Sequence, residues 1–350
     1  MNPSHLSDVV QELLGKAPVR VPLLFVPLTG GRNNRVYHFV WQGRDYVVKH
    51  YFSDPSPLRD RLESEFAFAT FLWRQGLRTL AEPIAAEVRH RIAVFAFVPG
   101  RRLRPEDINS DRVEDVLCFC EAINLHRNDP AGAGLPPAAE ACFSLEEHLQ
   151  TVERRVLRLA SISYSHPLER AVGQFARGTL EPLWRELANQ ITNRAHCFGY
   201  PLNLPLATEE RCLSPSDLGF HNTIWTSERK LVFHDFEYAG WDDPAKVVAD
   251  FFNQPALPVD ESYRERFAQR LYGALGLSAW HHRRAALIVP LYRLKWCCIM
   301  LNEFLAEGGR RREYAAADRL TVAEKRSQLQ LAKHLAVKLQ RDLDCPDVLY

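Results

Sequence analysis

Asp217, Asn222 and Asp235 are the side chains whose types and order point most directly to chemistry. The first two lie in the segment Pro215-Ser216-Asp217-Leu218-Gly219-Phe220-His221-Asn222, and Asp235 closes the apolar run Leu231-Val232-Phe233-His234. ATP-dependent phosphoryl transfer needs such groups: a carboxylate near the acceptor hydroxyl, and an amide plus a second carboxylate to hold Mg²⁺ against the phosphates. Either Asp217 or Asn222 alone also fits an Asx turn that caps local backbone. Order separates the two readings, because a lysine on a β-like run, Val47-Val48-Lys49, and a glycine pair, Gly30-Gly31, lie upstream.

Each upstream group has a plain alternative. Gly30 and Gly31 would let backbone N–H groups approach phosphate oxygens with no Cβ in the way, and Asn33 or Asn34 could donate to the same phosphates. A simple β-turn uses the same residue types. Lys49, between apolar strand residues, faces inward or into a cleft and then needs a partner; the competing place is an edge strand at the surface. Glu63 and Glu65 lie on the following helix, and Glu65 stands beside its apolar face. Asp235 at the end of a buried strand is costly unless paired or bound to a metal. Asp243 before Pro244 reads as a helix N-cap, and Asp242 beside it is a candidate acceptor contact. His221 and His234 lack the helical spacing of a zinc pair and read as hydrogen-bonding scaffold.

The 350 residues, 46% hydrophobic and 25% charged, have ordinary globular composition and length enough for two lobes. The net charge of +1 carries no basic excess, so no nucleic-acid partner is expected. Eight cysteines include no C-x-x-C pair, which argues against a zinc ribbon or a thioredoxin-type site. Met1 to Val10 has no charged region followed by an apolar stretch, so no signal peptide is expected. The most apolar long stretch, Ala285 to Leu305, carries Arg293, Lys295 and Glu303, which argues against a membrane span. The expected location is the cytoplasm.

The elements that must position these groups fall into two regions. Strand-like runs occupy 23–26, 36–41, 46–50, 85–90 and 92–98, with a hairpin turn at Gly43-Arg44-Asp45 and one helical pattern over 58–76. Beyond residue 101 the pattern is helical over 113–126, 145–160, 168–175, 182–195, 261–275, 283–306 and 321–343, interrupted by short strands at 223–225 and 231–233. The expected organisation is α+β: a small β-rich lobe over 1–99 that binds nucleotide, and a larger, mostly helical lobe over 100–350 that carries the catalytic and metal loops and the acceptor region.

Together these segments resemble the aminoglycoside phosphotransferase and choline kinase family, which has the protein-kinase-like fold, over roughly residues 20 to 255. Gly30 to Tyr37 is similar to its glycine-rich loop, Val47-Val48-Lys49 to its nucleotide lysine strand, and Glu65 with Leu72 to the helix that pairs with that lysine. Phe95 to Gly100 resembles the hinge that reads adenine through backbone groups, here Ala96 and Phe97, and Leu125-His126 a pair ahead of the substrate helices. Asp217 and Asn222 resemble the catalytic loop, and Asp235-Phe236-Glu237 with Gly240, Asp243 and Pro244 the metal-binding turn. The resemblance implies ATP and Mg²⁺ as cofactors, a small-molecule hydroxyl as acceptor, Asp217 as the catalytic carboxylate, and Asn222 and Asp235 as metal ligands. One departure stands out: the family has His-Gly before the catalytic Asp, and this chain has Pro215-Ser216. That departure leaves open a pseudokinase-like nucleotide-binding or scaffold protein; a protein kinase fits less well, since no activation segment lies between Asp235 and Pro244. The stretch 151–212 carries slightly more Arg than acidic residues, which argues against a polycationic acceptor and leaves a sugar, polyol or amino alcohol. Arg293, Asn302 and Glu303 on the late helix are further candidate acceptor contacts, with a surface stripe as the alternative.

Overall fold

The computed structural model describes residues 3–15, 22–28, 34–52, 59–162, 166–305, 314 and 321–344. A first region comprises helix α1 (Pro3–Leu14), strands β1 (Val26–Pro27), β2 (Arg35–Trp41) and β3 (Arg44–His50), helix α2 (Arg61–Arg74), and strands β4 (Pro83–Glu87) and β5 (Ile92–Ala96). The five strands form one antiparallel sheet in the order β1-β2-β3-β5-β4. The β2–β3 turn lies at Gln42-Gly43, one residue earlier than expected, because Arg44 and Asp45 already pair with Trp41 and Val40. Both turn residues have positive φ, 50° and 76°, as a two-residue hairpin requires. The expected strand over 23–26 pairs only at Val26 and Pro27.

Strand periodicity decides which way the lysine points. Tyr46 and Val48 of β3, with Ile92 and Val94 of β5, pack against Leu6, Val9 and Val10 of α1. Val47 and Lys49 therefore face the other side of the sheet, toward α2. Helix α2 is fixed at its start by Asp60, whose side chain accepts from Glu63 N and pairs with Arg91.

The second region is mainly helical: α3 (Ser110–Leu125), α4 (Pro130–Ala133), α5 (Leu145–Ala160), α6 (Pro167–Phe175), a π-helical turn at Ala176–Leu180 and α7 (Glu181–Cys197). Four short strands follow, β6 (Cys212–Ser214), β7 (Thr223–Trp225), β8 (Leu231–Phe233) and β9 (Gly240–Asp242), then α8 (Pro244–Asn253), α9 (Arg264–Leu275), α10 (Ala279–Met300) and α11 (Val322–Asp344). β6 pairs with β9 and β7 with β8, both antiparallel. Residues 279–304 are long and apolar enough to cross a membrane, yet 78% of the apolar window is buried in the protein. Helix α10 packs against α5, α8 and α11 as a core helix.

Two contacts tie the regions together near the site. Phe236, beside the Phe119–Phe233 stack inside the helical region, packs against Phe68 of α2 in the first. The connection after β5 is clamped to β7 by reciprocal backbone bonds between Arg101 and Trp225. Gly100 permits that approach, since a Cβ there would meet Trp225 O at 2.5 Å.

Candidate active site

From the sheet side, Lys49 Nζ donates to Glu65 Oε2 at 2.6 Å and also contacts Asp235 Oδ1. Glu65 is 3% exposed. Its Oε2 accepts from Tyr51 Oη at 2.7 Å and its Oε1 from Phe236 N at 3.2 Å, so one carboxylate joins β3, α2 and the turn after β8. Tyr51, two residues beyond Lys49 on the same face of the chain, was not singled out in the sequence, although period two points to it.

Three carboxylates share this one lysine. Burial works against the Lys49 charge, but Asp235, Glu65 and Glu237 together outweigh it and hold its pKa far above the usual value. Burial pushes Glu65 up to about 7 despite Lys49, because Asp235 and Glu237 repel its charge. Asp235 is also penalised by burial, yet its contact with Lys49 brings it below the usual carboxylate range. Half-buried His234 is driven down to about 4 by desolvation and is neutral near pH 7.

From the helical side, the pairing of β7 with β8 sets the metal candidates. Thr223 lies opposite Phe233, so the residue before β7, Asn222, and the residues after β8 fall at the same end of the hairpin. His234 N donates to Asn222 O at 3.1 Å and locks that end. Asn222 Nδ2 donates to Asp217 O at 2.9 Å and to Asp217 Oδ2 at 3.2 Å. The ligating atom its amide can offer is therefore Oδ1. An amide oxygen and a carboxylate oxygen are hard donors that suit Mg²⁺, which takes few protein ligands and completes its shell with phosphate and water. Among the described residues no group of three or more His, Cys, Asp or Glu is arranged to hold a metal. Asp217 is half-buried, with His221 Nε2 3.4 Å from its Oδ1.

Several expected contacts are placed elsewhere. Asn34 is buried with both ends of its amide taken: Nδ2 donates to Glu237 Oε2 at 2.7 Å and Oδ1 accepts from Phe52 N at 3.1 Å. It ties the end of the glycine-rich segment to the turn after β8, and is corrected from phosphate donor to structural link. Gly30, Gly31 and Asn33 lie outside the described residues. The amides of Ala96 and Phe97 donate to Glu82 O and Asp45 O, so sheet edges take the backbone donors expected for adenine. Asp242 is fully buried, bonded to Lys246 Nζ and to Asp243 N. Arg293 is buried among Asn253, Glu261 and Asp342. Neither has a free face for an acceptor, and both are corrected to internal ion pairs. Asn302 and Glu303 are half-buried in a 3₁₀ turn beyond α10, where Arg158 reaches Asn302 Oδ1 at 3.5 Å. Asp243 caps α8, and its carboxylate also takes His148 and Arg284.

Residues 25–287 match the model of the APH phosphotransferase enzyme family. Among solved structures, a spectinomycin phosphotransferase in complex with ADP and spectinomycin matches with a TM-score of 0.62 at 11% identity, covering 97% of this chain and 99% of that one. The choline kinase of Streptococcus pneumoniae matches with a TM-score of 0.58 at 16% identity, over 96% and 100% of the two chains. The Plasmodium vivax ethanolamine kinase matches with a TM-score of 0.57 at 14% identity, over 94% and 87%. At such identities these likenesses show the fold, which is kinase-like with a small antiparallel sheet and a larger helical part. No curated protein matches the sequence.

Proposed function

The chain belongs to the phosphotransferase enzyme family, as a small-molecule kinase, and from that premise we propose that it transfers the γ-phosphoryl group of ATP, with Mg²⁺, to a hydroxyl of a sugar, polyol or amino alcohol. The observation that carries this reading is convergence: Lys49, Glu65, Asp235, Asn222 and Asp217 come from separate elements and meet through direct contacts or one shared hairpin end. Lys49 supplies the fixed cation for the phosphates, with Glu65 holding its ammonium in place. Asn222 Oδ1 and the Asp235 carboxylate are the atoms that would hold Mg²⁺, which supplies charge neutralisation on the phosphates when bound. Asp217, oriented by Asn222 Nδ2, orients the acceptor hydroxyl and accepts its proton. The protein's share of catalysis is positioning and electrostatics rather than covalent chemistry.

The carboxylates beneath the catalytic loop support an acceptor other than a polycation. Asp242 and Asp250 are matched by Lys246 and Lys295, and Glu140 by Arg155. A reaction fed by ATP and described cysteines that are all free thiols fit a cytoplasmic location.

Calorimetry of ATP binding with and without Mg²⁺, on wild type and Asp235→Asn, tests the proposal. Binding that requires both Mg²⁺ and Asp235 is expected; no ATP binding under any condition overturns it. A scaffold that has lost its chemistry predicts that Asp217→Asn changes nothing, whereas the kinase predicts lost turnover with binding kept.

A further inference from the structure

The residue before Asp217 has an unusual backbone and an unusual partner. Ser216 has φ 65°, left-handed for a residue with a Cβ, and Asp217 N donates across it to Pro215 O at 2.9 Å. That is a γ-turn with positive φ at its centre, a rare and strained shape. A non-glycine residue there costs about 1–2 kcal/mol. Something must hold it, and neither His221 nor His234 contacts Ser216 through the bonds each makes.

Lys246 on α8 is 1% exposed. An ammonium has three N–H donors, and three acceptors surround this one: Asp242 Oδ2 at 2.6 Å, Ser216 Oγ at 3.2 Å and Asp250 Oδ2 at 3.4 Å. The acceptors are themselves fixed. Asp242 Oδ1 takes Asp243 N, and Asp250 takes Lys295 and Trp296 Nε1. The Ser216 hydroxyl, while accepting from Lys246, is placed to donate to Ala139 O at 3.4 Å, and Ser216 N donates to Ser214 Oγ. The γ-turn is thus held through its one polar side chain by a buried cation that is anchored on both sides.

We infer that Lys246 is the positioning residue of the catalytic loop, holding Ser216 in its left-handed turn and, through that turn, the Asp217 carboxylate. The inference rests on the phosphotransferase reading above and deepens it. It also accounts for how a chain with Pro215-Ser216 still presents Asp217: Pro215 restricts the backbone, and the serine hydroxyl supplies a handle that glycine lacks.

The test uses the full chain with ATP and Mg²⁺ and water as acceptor, comparing wild type, Ser216→Ala, Lys246→Met and the double variant. Rates are normalised to ATP-binding sites titrated calorimetrically, and hydrogen exchange is followed over residues 212–222. Ser216→Ala is expected to lower kcat on the order of tenfold, leave KM for ATP unchanged and speed exchange in the loop but not in α8. The double variant is expected to be no slower than Lys246→Met, since both act through one contact. A merely structural Lys246 predicts a lower melting temperature with kcat per site intact. If Lys246→Met does not fold, Ser216→Ala decides alone. Wild-type turnover with Ser216→Ala equal to it in kcat and exchange overturns this inference and leaves the kinase standing. A wild type that binds no ATP overturns both, and where bound ATP is not hydrolysed with water as acceptor, hydrogen exchange over residues 212–222 decides alone.

Discussion

Of the three lysines buried among the described residues, Lys49 and Lys246 make the contrast that separates machinery from scaffold. Lys49 and Lys246 each contact two carboxylates, and each is held charged by them against burial. Their surroundings differ most in access to solvent. Around Lys246 both carboxylate side chains are sealed, at 0% and 5% exposure, whereas Asp235 beside Lys49 is 35% exposed. A sealed pair has nothing to exchange with; a pair open on one side can pass the lysine's charge to a phosphate and the carboxylate's to a metal. In the proposed mechanism the same ion-pair chemistry is a fastening in one place and a binding site in the other.

The largest effect that would sharpen this contrast is on turnover. Asp217→Asn should lower kcat by about 10³-fold, within the range for losing a positioned acid–base group, with ATP affinity unchanged by calorimetry. Unchanged turnover would break the assignment of the open side as machinery. Next comes stability. Lys246→Met strips buried Asp242 of its cation, while Asp250 keeps Lys295, and should cost about 3–5 kcal/mol in urea unfolding. Lys49→Met should cost less, because Asp235, 35% exposed, stays hydrated when the lysine is lost, whereas Asp242 is sealed. Equal losses would mean the two lysines are fastened alike.

A pH experiment resolves a smaller effect. Glu65 has a folded pKa of about 7 against an ordinary 4.5. A carboxyl raised on folding contributes stability that is fully present below about 4.5 and is lost as pH rises through about 7. Glu65→Gln should therefore flatten the decline in melting temperature between those values; an unchanged slope would assign the decline to other groups. Smallest is His50, at the end of β3, brought down to about 4 mainly by burial, with Arg35 and Arg91 adding to it. A base lowered on folding contributes stability present above about 6.5 and lost as pH falls through about 4. His50→Gln should reduce the acid-side loss slightly, as thermal melts between those pH values would show.

What could be read from the sequence was what local pattern encodes. The face Lys49 presents follows from strand alternation, and the closeness of Asn222 and Asp235 from two short β runs joined by a turn. Helices α5 and α10 follow from apolar spacing. What could not be read depends on partners distant in the chain. Arg293 on the late helix reads as an acceptor contact or part of a surface stripe, yet Glu261 and Asp342, from other elements, enclose it. Asp242 differs in that its lysine lies only one helical turn on, and what the pattern does not give is that both face inward. Asn34 looked like a phosphate donor beside two glycines, and only the fold shows Glu237 behind it. Glycine and asparagine mark a turn; they do not say what the turn leans on.

The β7–β8 hairpin carries a consequence for how such a protein can change. Asn222 and Asp235, the candidate metal ligands, are brought together by backbone pairing at the open end of the hairpin, while its turn, Ser227 to Lys230, is exposed to solvent. Residues can be added at that outer tip, or a tag carried there, without altering the ladder that sets the two ligands. One residue inserted within either strand would shift the register and turn alternate side chains to the opposite face. The exposed tip is where this hairpin can lengthen, and the three-residue strands beneath it are where it cannot.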